Sequence, residues 1–290
     1  MDWITGIQRA IDYIEEHLTE ELDYAEIAGR AYVSSFHFQR IFAILCGFTL
    51  GEYIRNRRLT LAGAALSQGD AKVIDVALKY GYDSPDSFAK AFTRFHGVTP
   101  SAAREPGVRL RSFSRLSIRI SLEGGNAMDC KIEKRPAFKV AGKAEIFKLM
   151  DEYRRDDIPA FWARCQQDGT VQALYRASYG TKEPGVVYGV CYDGDTVKNE
   201  FSYIIAAPYE KGDIPDGCRV YDIPERTWAI FRCVGAMPRA IQELWKRIYT
   251  EYFPTSDYRP AHGIDLEAYY EGNMDDERYA SEIWIPVERK

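Results

Sequence analysis

Apolar positions along residues 73–104 fall into two short helical stripes separated by a corner. Val73, Val76, Ala77 and Tyr80 recur at i, i+3, i+4 and i+7, and so do Phe88, Ala91, Phe92 and Phe95. Gly81 gives the corner its backbone freedom, Ser84 is a good N-cap, and Pro85 stands at the first helical position, where a missing N–H costs nothing. Gly97 and Pro100 stop the second helix. Two short helices joined through a glycine corner predict a helix-turn-helix of the DNA-reading kind. The plan recurs upstream. Tyr24 to Ala31 predicts a first helix, and Ser34 caps a second that runs to about Cys46, with Phe38, Ile41, Phe42 and Leu45 as its stripe and Gly47 as its stop. Between the two units, Leu50 to Ser67 lacks proline and predicts one continuous helix, roughly 27 Å long at ~1.5 Å per residue. A strut of that length suits two recognition helices addressing one face of a duplex, whose turns repeat every ~34 Å.

The period changes after Arg104. Pro106-Gly107 and Gly124-Gly125-Asn126 break the pattern, and Leu116 to Leu122 between them alternates with period two, which predicts a strand. From Met128 onward the chain is rich in tyrosine and β-branched residues, with helical stretches near Phe161–Gln167 and Pro238–Phe253. An internal repeat runs through this half. Arg135–Val140 echoes Ile223–Trp228 at an offset of 88, while Tyr188–Asp193 echoes Leu266–Glu271 and Phe201–Pro208 echoes Tyr279–Pro286 at 78. Each half then predicts strand, helix, strand, strand, and two such halves predict a pseudo-twofold α+β body with a cleft between them, a usual place for small ligands. The expected organisation is an all-α double helix-turn-helix DNA-binding domain over 1–107, a linker over 108–127 that carries the first strand of the second domain, and an α+β domain with a small-ligand cleft over 128–290.

Length fits two domains: 290 residues give ample core for both. The net charge of −5 does not suggest nucleic acid, so its distribution matters. Residues 30–58 hold five basic side chains (30, 40, 55, 57, 58) against Glu52, and 104–119 hold five (104, 109, 111, 115, 119) against Glu105. Local positive surface of this kind is what phosphate contacts require. The six cysteines are scattered without a C-x-x-C pair, which predicts reduced thiols, and four dispersed histidines predict neither metal site nor cofactor. No apolar stretch approaches the ~20 residues of a membrane span, and no leader pattern precedes Asp2, so the expectation is a cytoplasmic protein without membrane partners.

The N-terminal residues resemble the AraC family of bacterial transcription regulators. In the second unit Gly81-Tyr82, Ser84, Phe88, Lys90, Phe92, Arg94, Gly97, Thr99-Pro100 and Arg104 stand at the family's spacing. Phe42, Gly47, Tyr53, Arg57 or Arg58, and Ala62 to Leu66 match the first unit and the strut, so the resemblance covers about 5–106. It implies operator DNA as partner, with RNA polymerase as a further candidate. On the polar face of the first recognition helix, Gln39 can pair with adenine, Arg40 with guanine, and Phe36 can touch a thymine methyl. The family places base contacts at these three positions. In the second helix Pro85, Asp86 and Lys90 face outward, with Asp86 suited to specificity and Lys90 to a phosphate or guanine. Arg104 is expected to brace the fold through a carboxylate. Ala43-Ile44-Leu45 departs from the family, which often has lysines there.

The second half resembles, more loosely, the gyrase-inhibitor-like (GyrI-like) effector-binding domain, through Lys131–Phe138, Val187–Val190, Asp265–Tyr269 and Glu282–Val287. Alternation over 265–270 puts Leu266, Ala268 and Tyr270 on one face and Glu267 with Tyr269 on the other. An acid beside aromatics in mid-strand can hold a cationic or hydrogen-bonding ligand, and the resemblance puts the ligand-facing acid at Glu267. Tyr188, Trp228, Trp245 and Trp284 are candidate pocket walls. The expected function is a transcription regulator sensing an aromatic, amphipathic or cationic small molecule. The alternatives are a small-molecule hydrolase, using Glu267 and Tyr269 as an acid–base pair, and a drug-sequestering module. No Ser/His/Asp set, metal cluster or phosphate loop supports catalysis, so the protein is not expected to be an enzyme.

Overall fold

The computed structural model describes residues 3–31, 33, 35–69, 71–118, 127–148, 157–192, 200–261 and 263–290. The chain divides into two compact units, Met1–Ile120 and Ser121–Lys290.

The first unit is helical: α1 (Trp3–Glu16), α2 (Tyr24–Arg30), α3 (Ser35–Cys46), α4 (Leu50–Ser67), α5 (Val73–Lys79) and α6 (Pro85–His96). Helix α4 spans the strut read from the sequence and starts from a capping box, Thr49 Oγ1 accepting from Glu52 N while Glu52 Oε2 accepts from Thr49 N. Ser84 caps α6 by accepting from Ser87 N, and Gly97 ends it in the left-handed region. Ser34, the cap expected for α3, lies outside the described residues. Helix α1 was not foreseen, although Ile7, Ala10, Ile11, Ile14 and Leu18 have helical spacing; they form the core of the first helix-turn-helix with Ile27, Phe38 and Phe42. A second core gathers Leu59, Ala62, Leu66, Val76, Phe88 and Phe92 around the other end of the strut.

Several basic residues counted above as phosphate-facing instead hold this unit together. Arg57 makes a bidentate pair with Glu15, the two side chains only 12% and 8% exposed, and also donates to the Phe113 carbonyl. Arg58 donates to the carbonyls of Leu18 and Glu20 just past α1, where cations complement a helix's exposed carbonyl end. A Cβ on Gly81 would stand 2.7 Å from the Arg58 guanidinium, and the backbone there has φ +79°, so the corner needs glycine twice over. Arg104 does brace the fold, but through the Gly69 carbonyl rather than a carboxylate.

The strand expected from Leu116 is not formed over its described residues: 108–118 run as a strap without helix or strand. The alternating side chains are used differently. Phe113, Leu116 and Ile118 lie against the α1–α4 core. The backbone N–H groups of the same three residues donate to Thr60 Oγ1, the Tyr53 hydroxyl and Gln8 Oε1. Side-chain acceptors on helices replace a neighbouring strand.

The second unit is an antiparallel sheet with helices. Its strands are β1 (Cys130–Arg135), β2 (Phe138–Lys148), β3 (Val186–Tyr192), β4 (Glu200–Tyr209), β5 (Arg219–Ile223), β6 (Arg226–Val234), β7 (Tyr258–Pro260), β8 (Ile264–Tyr270) and β9 (Ala280–Arg289). Helices α7 (Asp157–Gln167) and α8 (Thr170–Ser178) precede β3, and α9 (Arg239–Arg247) follows β6. The order is β1-β6-β9-β8-β3-β4-β2-β5, with β7 added on β9. Exchanging β1 with β5, β2 with β6, β3 with β8 and β4 with β9 reverses this order into itself, which is the topological form of the sequence repeat. Each half opens with two successive strands rather than the single strand expected, and these pair elsewhere, β1 with β6 and β2 with β4 and β5. The Arg135–Val140 echo marks the β1–β2 and β5–β6 turns.

Candidate functional site

In the helical unit the two recognition helices differ in what they present. On α6, Phe88 and Phe92 are fully buried while Pro85, Asp86 and Lys90 are exposed, as a DNA-facing edge requires. On α3, Phe38, Ile41 and Phe42 face the core. Gln39, expected to face out, is only 6% exposed, and its amide nitrogen donates to Ser35 Oγ one turn back. That bond lays the side chain along the helix instead of away from it. Its neighbour His37 is also buried, whereas Arg40 is half-buried. The backbone of Phe36 lies in α3; its side chain is outside the described residues.

The sheet unit builds its site on the repeat axis. Strand β3 pairs with β8 so that Gly189 faces Glu267. These two residues are themselves 78 positions apart, the offset of the repeat, so the pseudo-twofold passes between them. The repeat is broken there: one half supplies a carboxylate, the other no side chain. A Cβ at Gly189 would lie 2.1 Å from the Tyr203 hydroxyl and 3.5 Å from Glu267 Oε2, so glycine makes the room these polar atoms occupy. Glu267 Oε1 accepts from the Trp245 indole N–H at 2.6 Å, and Oε2 accepts from the Tyr269 hydroxyl at 3.0 Å and the Tyr203 hydroxyl at 3.4 Å. Trp162 of α7 donates to the Tyr203 hydroxyl and meets the Tyr269 ring edge-on. Trp245 of α9 stacks near-parallel with Tyr249. Helices of the two halves thus bring one indole to the carboxylate and another to the Tyr203 hydroxyl that bonds it. Burial, followed by the Glu267 charge, pushes the Tyr269 hydroxyl well above its ordinary range, so it stays a proton-bearing donor.

Of the six residues expected around one ligand, three meet here: Glu267, Tyr269 and Trp245. The other three lie elsewhere. The register places Tyr188, Ala268, Trp284 and Trp228 on the opposite face of the sheet, where Trp284 meets Tyr188 and Trp228 edge-on. They belong to that face's apolar core with Val190, Ile230 and Leu266. Conversely Trp162, Tyr203 and Gly189 were missed. The 78-residue offset that links Gly189 to Glu267 was the available signal.

Comparison with known proteins bears on both units. Residues 27–106 match a helix-turn-helix domain model, and residues 128–288, more than half the chain, match the GyrI-like small molecule binding domain. The transcriptional regulator Rob of Salmonella typhimurium is 34% identical over 281 residues, covering 93% of this chain and 92% of that one. The chain belongs to the AraC family of DNA-binding transcription regulators. Its second unit is a GyrI-like small-molecule-binding domain. Within this family the HTH-type transcriptional activator AarP of Providencia stuartii is 42% identical over 98 residues, which is 34% of this chain and 73% of AarP. The Bacillus subtilis regulator YbfP is 39% identical over 99 residues, 34% of each chain. Among the described residues no helix is long and apolar enough to cross a membrane, and no cluster of His, Cys, Asp or Glu could hold a metal ion.

Proposed function

We propose that this AraC-family regulator senses an aromatic, amphipathic or cationic small molecule at Glu267, and that occupancy changes its binding to operator DNA. The observation that carries the reading is the carboxylate on the repeat axis, its oxygens held by an indole N–H and two phenols and flanked by aromatic rings. Neutral donors orient such a group and add no opposite charge of their own, and rings beside it add cation–π attraction. Coupling to DNA requires that the effector bind two states of the protein unequally. A hydrolytic use of Glu267 and Tyr269 is disfavoured, because an acid–base catalyst needs a pKa near the working pH and the Tyr269 hydroxyl is moved the other way. The work of AarP as a transcriptional activator supports RNA polymerase as a second macromolecular partner in the cytoplasm.

On DNA, Lys90 and Asp86 of α6 and Arg40 of α3 are the proposed contacts, with Phe36 and Pro85 beside them. Gln39 takes part once it leaves Ser35. Binding measured over a salt series tests this. Arg40→Ala should cost about 1–3 kcal/mol on the specific site and relax one base position. Lys90→Ala should weaken all sequences alike and lower the salt slope by about one. Unchanged operator affinity in Arg40→Ala at physiological salt would remove that residue from the interface.

A further inference from the structure

The sheet face opposite Glu267 carries a pocket of its own, about 190 Å³, lined by Arg135, Glu183, Tyr188, Tyr270, Glu282 and Trp284 among others. We propose that this pocket binds a small organic ammonium or guanidinium ion, with Glu282 as counter-charge and Trp284, Tyr188 and Tyr270 as the aromatic wall.

Three observations select a cation. First, Arg135 already lies over the Trp284 ring, its guanidinium carbon 4.3 Å from the centroid, which shows that this indole face accepts positive charge. Second, Arg135 is not available to recruit an anion. Its Nε is held by Glu133 at 2.7 Å and another nitrogen donates to Glu183, whose second oxygen accepts from the Tyr188 hydroxyl. Lys131 is likewise paired with Glu133. Third, Glu282 is held only by neutral donors. Its Oε2 accepts from the Trp284 indole N–H at 2.7 Å and it bonds the Tyr270 hydroxyl, but among the described residues it makes no ion pair. Burial first, then the charge of Glu282, pushes the Tyr270 hydroxyl up, so that group remains a donor toward the carboxylate. Lys131 and Arg135 are both paired with Glu133, and Arg135 also with Glu183, which leaves Glu282 as the carboxylate of the pocket lining without an ion pair among the described residues.

Size narrows the class. Drug-sized ligands occupy pockets of roughly 300–1,000 Å³, whereas this one holds the volume of roughly six waters. The occupant is therefore a monoamine or guanidine with one short alkyl or single-ring body. The site shares no side chain with the Glu267 cluster, so the two ligands need not compete.

Phenethylammonium titrated into the full-length Glu267→Gln protein tests the pocket apart from the axial site, with 2-phenylethanol as the uncharged probe. The expected result is saturable binding of one phenethylammonium per chain. Adding Glu282→Gln, which keeps the shape and an oxygen for Trp284 and Tyr270, should weaken it at least tenfold and leave 2-phenylethanol unchanged. If that variant melts early, Tyr270→Phe decides instead, by a smaller loss confined to the ammonium. Absence of saturable binding to Glu267→Gln protein overturns the proposal. So does equal affinity with and without the Glu282 carboxylate, or equal loss for charged and uncharged probes.

Discussion

Replacing Phe113 by alanine asks whether the strap is a linker or part of the DNA-binding core. The ring is half-buried, with edge contacts to Phe48 at 5.3 Å and Tyr53 at 6.1 Å between centroids. Removing a fully buried phenylalanine costs about 3–5 kcal/mol; half burial brings this to about 2 kcal/mol, within which each edge contact accounts for about 0.5–1.5 kcal/mol. The residue's backbone bonds to Thr60 and Arg57 survive the change. Hydrogen exchange of the α4 amides in the full-length protein reads the opening of this unit directly. A loss of about 2 kcal/mol lowers their protection by about 30-fold, at about 1.4 kcal/mol per tenfold. Amides of β3 and β8 should be unaffected, as should the whole protein in Ser114→Ala, whose side chain is exposed. Equal protection of α4 in Phe113→Ala and Ser114→Ala would refute the packing account and return 108–118 to the status of a linker.

Two further perturbations address other parts of the fold. His96 is buried beneath the strut, its Nε2 at 2.9 Å from the Leu59 carbonyl and its Nδ1 without a partner among the described residues; burial holds its pKa below the ordinary histidine value, against the Leu59 bond and with help from Arg111. Because the unfolded chain then takes the proton first, stability of the helical unit should be full above pH ~6.5 and fall as pH drops from there through the lowered folded value, a slope that His96→Gln removes in urea titrations. Gly189→Ala would put a methyl 2.1 Å from the Tyr203 hydroxyl; it should melt lower by about 1–3 kcal/mol of stability and weaken effector binding, whereas an unchanged affinity would show that Tyr203 does not position Glu267.

What the sequence revealed of this fold depended on whether local pattern or long-range pairing decided each element. The strut is legible because helix continuity is decided locally: Leu50 to Ser67 lacks proline and has glycine only at 51 and 63. The strap is not, because period-two alternation reports only that one side is buried, and Phe113, Leu116 and Ile118 bury that side on helices. Around Glu267, alternation along β8 separates Glu267 and Tyr269 from Leu266 and Ala268, as the register has them. It says nothing about Tyr188, Trp228 or Trp284, whose side of the sheet is fixed by the Gly189–Glu267 and Leu266–Trp284 registers. Gln39 shows the same limit on a helix: its spacing suggests an outward face, but a bond to Ser35 turns the side chain along the helix.

The central claim is that Glu267 supplies the charge that holds the effector, and calorimetry on Glu267→Gln tests it most directly. Benzyltrimethylammonium and its uncharged carbon isostere form the matched pair, titrated into the wild-type and variant proteins, with operator affinity of the unliganded proteins as the folding control. The substitution keeps shape and hydrogen bonding and deletes only the charge. The account predicts that the cation loses about 1–3 kcal/mol of binding, that the neutral compound changes little, and that operator affinity is unchanged. Equal losses for both compounds would contradict it, by making Glu267 a structural residue, and so would undiminished binding of the cation, by placing the effector elsewhere.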